Sequence, residues 1–245
     1  MDRRLTVAML CIALLLGACS REYNTELMNA SKDGNLAAVQ AIYQRGGDVN
    51  QANNKGKRAL MFAASEGHVD VVNWLIEQGA DVNVADNFGT TALIVAATSG
   101  HDAVVKLLLD NGADPQVRDD SGGTPLVNAI YFGHQKSVQL LLDKMPPLSQ
   151  QDGDELLMLA AGLGHAGIVE AMVKDGVNVN GRGLKQRTPL MAAAAFNKPE
   201  VVRVLLKLGA DTAARDEDGN TALAVARDRG NDEVEALLLK AAADS

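Results

Sequence analysis

Apolar residues in this chain fall at helical spacing in short runs, and each run is cut by a glycine. Residues 59–83 show the unit. Leu60 opens a short run to residue 66 whose alanines permit close approach, and Gly67-His68 breaks it. A second run over 69–78 sets Val71, Val72, Leu75 and Ile76 on one helical face. Gly79 then fits a left-handed helix end. Asp81-Val82-Asn83 leads into a tight turn around Asp86-Asn87-Phe88-Gly89.

The unit recurs. Leu27, Leu60, Leu93 and Leu126 are spaced by 33 residues; after one step of 31 the series resumes at Leu157, Leu190 and Leu223. An alanine follows each leucine by three positions, from Ala30 to Ala226. The turn position reads Gly34, Gly67, Gly100, Gly133, Gly164, Asn197 and Gly230. Asparagine is the residue after glycine that best tolerates left-handed angles, so Asn197 keeps the pattern. A helix pair this short cannot bury its apolar faces alone, whereas stacked copies bury them jointly. The pattern predicts an all-α array of seven units. The last copy carries Arg227, Asp228, Arg229, Asp232, Glu233 and Glu235, and the first carries Lys32, Asp33 and Gln40. These are the wet outer faces that terminal units need.

With Gly123-Thr124-Pro125-Leu126, Arg187-Thr188-Pro189-Leu190, the Gly-His pairs and Gly112-Ala113-Asp114, the unit resembles the ankyrin repeat over about residues 24–243. The resemblance implies an all-α ankyrin-repeat solenoid of about seven helix-turn-helix units with short β-turn fingers. Two departures stand out. The histidine that follows Thr-Pro-Leu in the family is replaced by Met61, Ile94, Val127, Met158, Met191 and Ala224. The family's side-chain hydrogen bond there is expected to be lost and replaced by apolar packing. The fourth copy reads Met145-Pro146-Pro147 where Gly-Ala-Asp belongs, and two residues are missing before Asp152-Gly153. Proline fixes φ, so the finger at this point is expected to be shorter and stiffer than its neighbours.

The chain's start resembles a bacterial lipoprotein signal. Arg3 and Arg4 precede an apolar run over 5–16, and Leu16-Gly17-Ala18-Cys19 follows. The run is shorter than the roughly 20 residues of a membrane span. The resemblance implies a signal peptide over 1–18, a short tether over 19–24 with lipidated Cys19, and a repeat domain over 25–245. More than one acyl chain makes such an anchor stable. Residues 20–24 reach only about 17 Å when extended, so the array starts near the bilayer. Ser20 after the cysteine, rather than aspartate, suggests the outer membrane, with the array facing the periplasm.

Composition narrows the chemistry. Cleavage before Cys19 leaves 21 basic and 30 acidic residues, a formal charge of −9. Such a protein repels phosphate backbones, so nucleic acid is excluded as a partner. Cys11 and Cys19 are the only cysteines, and neither is left for a disulfide or a nucleophile. His68, His101, His134 and His165 occupy the same turn position. Units stacked about 10 Å apart cannot bring them onto one metal, whose bonds to nitrogen are about 2 Å. No phosphate-cradling glycine loop, metalloprotease helix or nucleophile elbow is present. Trp74 stands where other copies carry Leu107, Leu140 and Val204, a packing position. The reading is non-enzymatic, with no cofactor, no metal and no catalytic residue.

One constellation points to binding. In ankyrin arrays the two residues before the Gly-His turn lie on the concave face. Here they are polar in the outer copies and apolar in the middle: Tyr131-Phe132, Gly162-Leu163 and Ala195-Phe196. Three of the eight aromatic residues fall there. Tyr131, Phe132, Leu163 and Phe196 are expected to form one strip about 20 Å long. Phe88 at a fingertip extends it, and Lys185 and Arg187 on a later finger form its rim. The expected partner is an envelope or periplasmic protein whose identity the residues do not specify. The competing reading is an immunity or inhibitor protein that neutralises a secreted toxin or enzyme through its acidic faces.

Overall fold

Threonine starts most units. Thr25, Thr91, Thr124, Thr188 and Thr221 are extended N-cap residues whose hydroxyls accept the N–H three residues on. Pro125 and Pro189 take the first helical position, where no N–H is needed. A left-handed residue ends the first helix: Gly100 has φ 73° and Asn197, standing in for glycine, has φ 52°.

The computed structural model describes residues 24–243. Among them are fourteen α-helices and no strand. They pair as α1 (Glu26–Lys32) with α2 (Leu36–Gln44), α3 (Ala59–Glu66) with α4 (Val69–Glu77), α5 (Ala92–Ser99) with α6 (Asp102–Asp110), and α7 (Pro125–Phe132) with α8 (Gln135–Leu142). Then follow α9 (Gln150–Leu163) with α10 (Ala166–Lys174), α11 (Pro189–Ala195) with α12 (Pro199–Lys207), and α13 (Ala222–Asp228) with α14 (Asp232–Ala243). First helices pack on first helices and second helices on second helices, giving the solenoid. The leucine column is buried from Leu27 through Leu190. A second column of Leu75, Leu108, Leu141, Met172 and Leu205 is fully buried on the second helices. The cap is charged as expected: Arg203 reaches Glu233 at 2.8 Å, and Arg227 reaches Glu235 at 2.7 Å.

Side chains lace the units together. The Nε2 atoms of His68, His101, His134 and His165 lie 2.8, 2.9, 3.0 and 3.4 Å from the carbonyls of Lys32, Ser65, Thr98 and Tyr131. A carbonyl only accepts, so Nε2 carries the proton. Asn231 makes the same reach to the Ala194 carbonyl at 2.7 Å. A second ladder runs under the fingers. Asn50, Asn83 and Asn180 each donate to a glycine carbonyl of the next unit and accept the N–H of its aspartate. The fingers form a third. Each of five fingers, 53–57, 86–90, 119–123, 183–187 and 216–220, is closed by a hydrogen bond from its first N–H to its last carbonyl. Adjacent tips bond laterally: Asn87 donates to Lys55, Asp120 to Phe88, and Glu217 to Lys185.

Two expectations need correction. The lost hydrogen bond beside the N-cap survives weakly in two units. The sulfurs of Met28 and Met191 accept the N–H of Thr25 and Thr188 at 3.4 and 3.5 Å. Elsewhere apolar packing replaces it, with Met61 and Ile94 buried. The shortened fourth finger is not a finger. Asp152-Gly153 lies inside α9, which has 14 residues against eight in α7. Ser149 caps this helix by accepting the Asp152 N–H at 3.1 Å. The extension is held from outside. A Cβ on Gly153 would sit 3.3 Å from Val177 Cγ1, and the buried Asp154 accepts the Arg182 N–H at 3.1 Å.

Candidate protein-binding surface

The end of α7 presents Tyr131 and Phe132 side by side. Their rings meet edge to face, with centroids 5.1 Å apart and planes at 77°. Phe132 also lies nearly parallel to the His134 imidazole, 6.4 Å between centroids. That imidazole is fixed by its bond to Thr98, so the phenyl ring rests on a rigid support. Tyr131 and Phe132 nonetheless remain 55% and 52% exposed. In the next unit Leu163 is half-buried and offers less surface. One unit further, Phe196 caps α11 and is 64% exposed.

The structure therefore joins Tyr131, Phe132, Leu163 and Phe196 in three consecutive units, at equivalent ends of the first helices. Phe88 sits elsewhere, 56% exposed at the tip of the 86–90 finger. A first helix of eight residues separates finger from turn by about 12 Å. Lys185 and Arg187 share the 183–187 finger. Arg187 is held 3.9 Å from the buried Asp216 carboxylate. Lys185 and Gln186 are both left-handed, with φ 59° and 56°, a conformation that costs non-glycine residues energy. Gly183 replaces the aspartate that organises other fingers, where Asp86 accepts the N–H groups of Phe88 and Thr90.

Sequence reasoning passed over Leu184. At 85% it is the most exposed large apolar side chain among the described residues. Its signal was available: an apolar residue directly after Gly183, where other tips carry Asn54, Asn87, Asp120 or Glu217.

Lys198 borders the strip, its chain packed against Gly164 beside Leu163. Asp110 is held below the usual carboxylate range by hydrogen bonds from Lys106 and Lys144, and Glu170 by Lys174. Among the described residues no group of three His, Cys, Asp or Glu side chains has metal-binding geometry. No described helix is long and apolar enough to cross a membrane. Cys19 and the segment 1–18 lie outside the described residues.

Comparison with known proteins agrees with this architecture. A family model described as ankyrin repeats (3 copies) matches residues 27–119, 79–152, 114–183 and 157–245. The human ASB11 ankyrin repeat domain superposes with a TM-score of 0.78 at 29% identity, over 89% of this chain and 98% of that one. The ankyrin repeat domain of Bcl-3, a member of the IkappaB protein family, gives 0.71 at 27% identity, over 90% and 100% of the two chains. A search of curated protein sequences finds no match.

Proposed function

The chain belongs to the ankyrin-repeat family, and from that membership we propose that it is a non-enzymatic, lipid-anchored module that docks an envelope protein on its concave strip. Ankyrin repeats are in general protein–protein interaction modules, and proteins built from them are typically not enzymes. The observation that carries the reading is the placement of Tyr131, Phe132 and Phe196. Three rings, each more than half exposed, stand at the ends of two first helices, with Phe132 and Phe196 at the same repeat position, in a protein that holds only eight aromatic residues. An aromatic ring buries about 150–250 Å² when covered. Covering the exposed half of each yields roughly 2–3 kcal/mol of gross stabilisation per ring. The three rings together yield about 6–9 kcal/mol, within the range of about 4–15 kcal/mol that association costs. The rings therefore supply a central anchor, and neighbouring fingers add the rest.

The anchor rests on the signal-like start and Cys19, and Ser20 after the cysteine supports an outer-membrane array facing the periplasm. The acidic surplus favours a second reading, recognition of a basic toxin or enzyme through charged faces. Affinity capture from solubilised membranes with the wild-type chain and with Phe132→Ala/Phe196→Ala separates the two. Loss of the captured protein in the variant supports the strip. Unchanged capture refutes the strip and directs attention to the charged faces.

A further inference from the structure

Resting on the reading of the chain as a protein-binding module, we infer that the gap left by the absent finger is a second docking site, shaped for a basic β-turn of a partner protein. Three independent observations define the gap. The lateral ladder is interrupted: the Ser121 carbonyl and the Leu184 N–H, which continue the register on either side, make no hydrogen bond to the protein among the described residues. The neighbouring space is open. A Cβ on Gly56 or Gly89 would lie 2.8 or 3.0 Å from the backbone of the next finger, whereas Gly122 has nothing within 4 Å, like Gly219 at the end of the array. The second ladder is interrupted too, because Gln116 stands at the Asn50 and Asn83 position and its side-chain amide has no hydrogen-bond partner among the described residues.

A cavity of about 200 Å³ lies at the root of this gap, with Leu126, Met145, Pro147 and Leu156 in its wall. Asp152, Glu155 and Arg118 also line it, and Asp120 stands exposed on the tip of the 119–123 finger. Among the described residues none of these three carboxylates has a cation partner. On the side of the gap toward Ser121 these carboxylates outnumber Arg118, so a basic residue of the occupant is matched to that side, while Lys185 on the far finger keeps its own side positive. The hydrogen-bond register specifies the occupant's backbone. In the 86–90 finger Asn87 donates its N–H to the preceding finger, and the following residue, Phe88, offers its carbonyl to the next. A β-turn that presents this pair bridges Ser121 and Leu184 and restores the ladder, as strand addition completes a sheet edge.

The test uses a labelled head-to-tail cyclic peptide of residues 52–58, Ala-Asn-Asn-Lys-Gly-Lys-Arg. It reproduces the basic finger whose Lys55 carbonyl already accepts from Asn87. Binding to the full chain in detergent micelles is read by fluorescence anisotropy. Saturable binding is expected, at least tenfold weaker when the peptide carries Lys55→Glu and Lys57→Glu. Leu184→Pro in the protein removes the N–H donor and should weaken binding at least tenfold, while Leu184→Ala retains it. A thermal melt establishes that both variants fold. Glu155→Lys should also weaken binding, whatever the fate of Leu184→Pro. Absence of saturable binding, or binding indifferent to both Leu184→Pro and Glu155→Lys, overturns the inference. Phe132→Ala/Phe196→Ala should leave peptide binding unchanged. If that variant loses nothing in membrane capture, the strip fails while the gap stands.

Discussion

Phe196 lays its ring edge over the bare Cα of Gly162 in the preceding unit, 3.3 Å from where a Cβ would be. The glycine thus seats a ring that is otherwise open to solvent. The strip is a set of supported rings rather than a loose fringe. That distinction matters for binding, because a pre-positioned aromatic loses little freedom when a partner covers it.

Phe132→Ala/Phe196→Ala should abolish partner capture while changing stability little. Both rings are more than half exposed, and substitutions at such surface positions usually fall within about 0.5 kcal/mol. Chemical denaturation of the purified chain checks this. A large shift in midpoint would mean that the rings serve packing between units.

Leu205→Ala should be costly. Leu205 is fully buried in the column of Leu75, Leu108 and Leu141, and such truncations cost about 2–5 kcal/mol. A measured loss below about 1 kcal/mol would contradict the packing described.

His101→Ala should destabilise the boundary between the second and third units. The imidazole bonds the Ser65 carbonyl at 2.9 Å and lies against Gly67, where a Cβ would be 2.5 Å from Nδ1. One such hydrogen bond contributes about 1 kcal/mol, and lost packing adds to it. Hydrogen exchange should show faster opening at this boundary than at the distant cap.

Acid should loosen the link between α6 and the end of α8. Lys106 and Lys144 depress the Asp110 pKa below 3.8. A depressed carboxylate contributes stability above its unfolded pKa and loses it as pH falls through the folded one. The acid limb below about pH 4 should therefore flatten in Lys144→Ala. The effect is small, since the carboxylate is solvent-exposed. Identical acid limbs in both proteins would remove this link from the account.

Mass spectrometry of the N-terminal peptide tests the anchor. Membrane-purified protein should begin at an acylated Cys19, and Cys19→Ala should remain uncleaved. An unmodified thiol at Cys19 would end the lipoprotein reading.

The sequence by itself determined the unit, its period and the number of copies. Those features are local: helical spacing of Val71, Val72, Leu75 and Ile76, threonine caps, and a left-handed residue at each turn. Asn197 shows how far this goes, since its φ of 52° followed from its place in the series. The aromatic pair at Tyr131 and Phe132 was legible for the same reason, as a register position. Only the tertiary structure decided residues 150–156. Asp152-Gly153 is a turn signal when read locally, yet it is helical, because Gly153 fits against Val177 and Asp154 accepts from Arg182. Those contacts join residues more than 20 positions apart, and no local pattern encodes them. The open edges at Ser121 and Leu184 follow from that helix. Whether a backbone group finds a partner depends on what the neighbouring unit places beside it.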